Sequence, residues 1–192
     1  MANKVKYGLS QVHIFPIEKD NATGTTYAEG FALPGAVTLS LDPEGSSDPF
    51  YADDIPYFVA IANNGYTGSL EIAMLNDEFY TKILGMTQDE KTGLLVENVD
   101  DVGHEFAMAF QFKGDEKNTR HIIYRCSATR PKIEGETVAD KVTPKTDSFD
   151  FSAIPRVSDG IIKAKVEQGS ATYDNFFTAV QAPSATSSEV GA

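Results

Sequence analysis

The alternation in FAMAFQF (residues 106–112), followed by KGDEKNT (113–119) and HIIYRCSATR (121–130), points to an antiparallel hairpin. Phe106, Met108, Phe110 and Phe112 alternate with Ala107, Ala109 and Gln111. A period of two sends successive side chains to opposite faces of a strand, so the segment reads as half-buried. After a polar turn, Ile122, Tyr124, Cys126 and Ala128 fall on one face, and His121, Ile123, Arg125 and Ser127 on the other.

The same pattern recurs in VTLSL (37–41), PYFVAIA (56–62), GSLEIAML (68–75), SFDFSAI (148–154) and GIIKAKV (160–166), and more weakly in VHIFPI (12–17), YAEGFAL (27–33) and LLVEN (94–98). Helix signals are few. NDEFYTKILG offers Asn76 as an N-cap, Phe79 and Ile83 one turn apart and Gly85 as a stop, and YDNFFTAV (173–180) reads as a second short helix. The chain is therefore expected to be mainly β, a sandwich or barrel with one or two short helices. Long loops are expected at 42–55 and 131–146. Length suits one domain over residues 1–181, followed by a polar tail at 182–192, PSATSSEVGA in its composition.

Sixteen Lys and Arg stand against 28 Asp and Glu, a formal net charge of -12. Such a surface repels phosphate backbones, which argues against nucleic-acid recognition through a basic face. The charge is uneven: residues 42–105 are strongly acidic and 113–132 are basic, a distribution that suits docking between copies. The single Cys126 asks for no oxidising compartment, and the start MANKVKYGLS has no apolar signal core. No run approaches the roughly 18 apolar residues of a membrane span.

Chemistry is hard to find in this sequence. Asp53 and Asp54 are adjacent, and in an extended chain neighbouring carboxylates point apart, so a shared metal or acid–base role needs a bend. His121 and Cys126 are five apart, which in a regular strand sends them to opposite faces. Cys126 reads instead as a small buried hydrophobe. His13, His104 and His121 lack metal-ligand spacing, and no nucleophile elbow, phosphate loop or dinucleotide fingerprint occurs. No catalytic residue, metal or cofactor is expected. A β-sandwich carbohydrate-binding module is the alternative reading, with Tyr57 and Tyr66 as its platforms.

GAVTLSLDPEG (35–45), PFYADDIPYF (49–58), ANNGYTGSLEIA (62–73), ATRPKIEG (128–135) and IPRVSDGIIKAK (154–165) together resemble the major tail protein family of long-tailed bacteriophages, in particular its phi-thirteen-like group. The resemblance runs from about Lys4 to Val180. It implies a virion protein, made in the host bacterial cytoplasm, that forms hexameric rings stacked into a tail tube. Its implied partners are other copies of itself, a tape-measure protein in the lumen, and tail terminator and distal tail proteins at the ends. DNA would pass without specific binding, helped by an acidic bore. In this setting residues 42–56 read as a loop arm touching a neighbour, with Phe50 and Tyr51 as apolar anchors and Asp53 and Asp54 as its rim. Pro43, Pro49 and Pro56 are expected to break sheet pairing there.

Overall fold

A computed structural model describes residues 7–52, 54–135, 137 and 145–183. Thirteen strands and one helix follow one another in these residues: β1 (Leu9–Asn21), β2 (Gly24–Tyr27), β3 (Phe31–Ala32), β4 (Ala36–Glu44), β5 (Ser47–Ala52), β6 (Ile55–Ile61), β7 (Gly65–Ile72), α1 (Asp77–Lys82), β8 (Thr87–Gln88), β9 (Leu95–Val96), β10 (Phe106–Phe112), β11 (Arg120–Ala128), β12 (Asp147–Ala153) and β13 (Lys163–Val166). The protein is mainly β.

The main sheet runs β2-β1-β10-β11-β12-β7-β4, with β3 added beside β1 and β13 beside β11. Its pairs are antiparallel throughout. One edge of β11 serves two partners, β13 along Arg120–Ile123 and β12 along Cys126–Ala128. From that fork the sheet curls over itself. Leu70, Ile72, Phe149 and Phe151 from one half share a core with Val12, Ile14, Phe106, Met108 and Phe110 from the other. A second, smaller core on the reverse of β10 and β11 joins Phe15, Ala107, Ala109, Ile122 and Tyr124 to Phe176.

The helix forms as its sequence predicts. Asn76 Oδ1 accepts from the Phe79 backbone N–H, Asp77 and Glu78 occupy the first turn, and Gly85 follows with φ 77°. Phe79 is fully buried, its ring 4.6 Å from that of Phe149. Segment 173–180 is not helical. It is a succession of tight turns, with Phe176 N–H donating to Tyr173 O and Thr178 N–H to Asn175 O. Those turns press Tyr173 and Phe176 against the sheet, so burial rather than helical periodicity explains their apolar character.

The hairpin at 106–128 forms, with two corrections. β10 is buried on both faces from Phe106 to Phe110, because the C-terminal turns cover Ala107 and Ala109. A bulge also interrupts the alternation of β11: Phe106 pairs with Cys126 but Met108 with Ile123, so Tyr124 and Arg125 together oppose Ala107. The extra residue moves Cys126 to the face of Ile123, away from Tyr124. His121 then shares a face with Cys126. Five residues at about 3.3 Å each still keep the two apart, and burial pushes the Cys126 thiol well above its ordinary range.

Candidate self-assembly arm

The expected loop over 42–55 is instead the end of a long hairpin. β4 and β7 pair from Ala36↔Ile72 to Glu44↔Gly65, and β5 and β6 continue from Ser47↔Ile61 to Ala52↔Ile55. At the junction Gly45 and Ser46 lie opposite Ala62, Asn63 and Asn64, with Ala62 N–H donating to Ser46 O and Asn64 N–H to Glu44 O. The backbones close in tightly here: a Cβ on Gly45 would meet Ala62 O at 2.2 Å, and one on Gly65 would meet Ala153 O at 2.0 Å. Glycine is required at both positions. An extra residue on one strand of a ladder bends it, so the junction is where the arm departs from the sheet.

Pro43, Pro49 and Pro56 do not break this pairing, since each has a ladder partner: Tyr66, Val59 and Tyr51. A proline lacks only the N–H. On a strand whose other edge is unpaired, that missing donor costs the ladder nothing.

Asp53 lies outside the described residues, as does the side chain of Phe50. The Ala52↔Ile55 pair is the last of the ladder, and Asp54 lies beyond it at the tip. Asp54 has φ 62°, a left-handed conformation that Asp adopts more readily than branched residues. Tyr51 is 62% exposed, Ile55 59%, Tyr57 76% and Phe58 61%. A bulge leaves Tyr57 without a ladder partner, since Phe50 pairs with Phe58 but Tyr51 with Pro56; by register Ile55 and Phe58 share one face and Tyr51 lies on the other. The arm therefore carries uncovered apolar side chains on both faces. Each large side chain gains about 1.5–3 kcal/mol on full burial.

The outer face of β4, β7 and β12 has a different character. Registered rows cross it as Thr38–Glu71–Ser148, Ser40–Ser69–Asp150 and Asp42–Thr67–Ser152. Small polar and acidic side chains fill these rows without a single base, while Leu39, Leu70 and Phe149 between them point into the core. The Ser40 and Ser69 hydroxyls are 2.9 Å apart. The result is an anionic surface of small side chains, with a shallow depression of about 450 Å³ between Asp42 and Asp150.

Basic charge is distributed differently from the sequence expectation. Within 113–132, Lys117 pairs with Glu167, Arg125 with Glu105 and Asp20, Arg130 with Glu97 and Lys132 with Glu134. Arg120 is absorbed too, stacked 3.7 Å from the centroid of Tyr173. The segment that looks basic is largely neutralised within the chain. Lys163 and Lys165 on β13 are the exposed cations that sequence reasoning overlooked, and neither pairs with a carboxylate among the described residues. The alternation of GIIKAKV puts both on one face, and that signal was available. They border a cavity of about 510 Å³ lined by Leu39, Leu41, Phe110, Phe112 and Ile123.

Arg125 anchors the fold beneath the bulge. Its Nε donates to Glu105 at 2.8 Å and its Nη1 lies 3.3 Å from Asp20, whose side chain is 4% exposed. The hydrogen bond to Glu105 helps hold the guanidinium charged. Nearby, Tyr27 donates to Tyr124 O, and burial raises its pKa to about 12. Among the described residues, no group of three or more His, Cys, Asp or Glu is placed to hold a metal, and no helix is long and apolar enough to cross a membrane. Tyr66, one of the two candidate sugar platforms, packs against the core with the Lys163 ammonium 4.2 Å from its ring centroid.

No protein-family model matches the sequence, and no curated protein is significantly similar to it. Among solved structures, a chain of the cryo-EM structure of the anti-feeding prophage baseplate, 6-fold symmetrised, aligns with 88% of this chain and 99% of its own length. The TM-score is 0.45 and the identity 9%. The fold described above rests on the hydrogen-bonded ladders, not on that similarity.

Proposed function

We propose that this protein is a structural subunit that assembles with copies of itself through the 45–64 arm. In its specific form the reading is a bacteriophage major tail protein of the phi-thirteen-like kind, six copies to a ring and rings stacked into a tail tube. One observation carries the self-assembly: a paired hairpin that leaves Tyr51, Ile55, Tyr57 and Phe58 uncovered on its two faces. A two-stranded hairpin is at best marginal in water without a third layer. Exposed apolar patches of this kind mark interaction sites.

The tube assignment draws on the sequence resemblance, three of whose strings fall on the single β4–β7 hairpin and its arm. The anionic face of β4, β7 and β12 suits the bore, because its carboxylates repel phosphates. In this reading a tape-measure protein occupies the lumen, terminator and distal tail proteins cap the ends, and DNA passes without specific contacts. The protein is not an enzyme, and its place is the virion tail, assembled in the host cytoplasm.

Negative-stain microscopy of the concentrated protein tests the reading: rings or tubes are expected. A persistent monomer that binds glycans, and loses that affinity on Tyr57→Ala, would favour the carbohydrate-binding alternative. A solved tube with a bore lined mainly by Lys and Arg would contradict the assignment of the anionic face.

A further inference from the structure

We propose that the groove between β4 and β13 is the acceptor for the arm of a second copy, with Lys163 and Lys165 facing that arm's acidic tip. The inference rests on the self-assembly reading above and names the surface that completes it. The groove has a floor of Phe110, Phe112 and Ile123, with the His121 ring stacked on Phe110, and an apolar wall, Leu39 and Leu41. The opposite rim carries the two exposed lysines, on the face of β13 turned away from Ala164 and Val166, which pack on the second core.

The arm offers the complement of each feature. From Glu44 to Gly65 it contains Glu44, Asp48, Asp53 and Asp54 and no Lys, Arg or His. Beside its carboxylates it exposes Tyr51, Ile55 and Tyr57. An apolar insert with an acidic tip fits an apolar groove with a cationic rim, and charge of opposite sign fixes orientation as well as encounter rate. The occupant is another molecule's arm. Each arm continues the β4–β7 ladder beyond Glu44↔Gly65, so pairing carries its tip away from the Leu39 and Leu41 of its own chain.

The experiment combines charge exchange with cross-linking in the full chain. Reversing the rim with Lys163→Glu and Lys165→Glu is expected to raise the concentration needed for assembly by about tenfold or more, with an unchanged circular dichroism spectrum. Adding Asp53→Lys and Asp54→Lys to that variant is expected to restore assembly. Independently, Asp54→Cys with Lys165→Cys is expected to give an intermolecular disulfide on oxidation, which neither single variant gives. If the rim-reversed variant assembles like the parent and no such disulfide forms, while replacing the arm still abolishes assembly, the acceptor is elsewhere and only this inference falls. If the parent itself never assembles, the proposed function falls and takes the acceptor with it.

Discussion

The β10–β11 hairpin and the β5–β6 hairpin are written in the same alphabet and meet opposite fates. FAMAFQF buries Phe106, Met108 and Phe110 almost completely, whereas IPYFVAI leaves Ile55, Tyr57 and Phe58 more than half exposed. Propensity does not separate them, since both are rich in aromatic and branched residues. Neighbours do. β10 lies between β1 and β11 and is covered on both faces, while β5 and β6 pair only with each other among the described residues. A strand pattern therefore announces that a face will be buried without saying whether its own chain or another copy covers it.

If the difference is one of cover, substitutions in the two hairpins should separate stability from assembly. Phe110→Ala removes a ring that is 3% exposed and stacked 5.3 Å from His121, and should cost about 3–5 kcal/mol in denaturant unfolding. A melt like the parent's would show that the facing of β10 is wrong. Arg125→Ala should cost about 2–3 kcal/mol, because it leaves the buried Asp20 carboxylate without its cation below the bulge. Thermal unfolding at neutral pH reads that loss directly.

A smaller effect sits at high pH. The Tyr27 pKa is raised in the folded state, so the native protein holds that proton over a range where the unfolded chain has released it. Its contribution is present below pH about 10 and is lost as pH climbs towards 12. With solvent reaching part of the ring, the contribution is on the order of 1 kcal/mol. Tyr27→Phe should accordingly flatten the alkaline fall in Tm between pH 9 and 11.5 relative to the parent. An identical fall in both proteins would contradict the assignment.

Much of this architecture could be read from local pattern alone. The alternation of SFDFSAI matches the buried Phe149, Phe151 and Ala153, and the Asn76 and Gly85 signals bracket the helix. What escaped reading depends on cross-strand arithmetic or on cover. The bulge at Tyr124 and Arg125 is a mismatch of count between two strands, and no single strand records it. The prolines at 43, 49 and 56 read as breakers because edge position is a property of the sheet. Of the candidate site, the location of the arm and the exposure of Tyr51 were legible, whereas the groove joins β4, β10, β11 and β13, whose order only the fold supplies. Residue-by-residue charge also misled: most of the basic 113–132 segment is spent on internal pairs, whereas Lys163 and Lys165 are exposed without a carboxylate partner among the described residues.

The smallest expected change in stability belongs to the arm itself, and it accompanies the largest expected change in assembly. Replacing residues 46–61 with a short Gly-Ser turn removes Tyr51, Ile55, Tyr57 and Phe58 but no buried core side chain among the described residues. Sedimentation velocity of this variant beside the parent, with unfolding followed on the same samples, is the most direct measurement. The predicted result is a variant that unfolds within about 1 kcal/mol of the parent and stays monomeric where the parent forms rings or tubes. A variant that still assembles normally, or one that no longer folds, would contradict an arm that serves other copies rather than its own core.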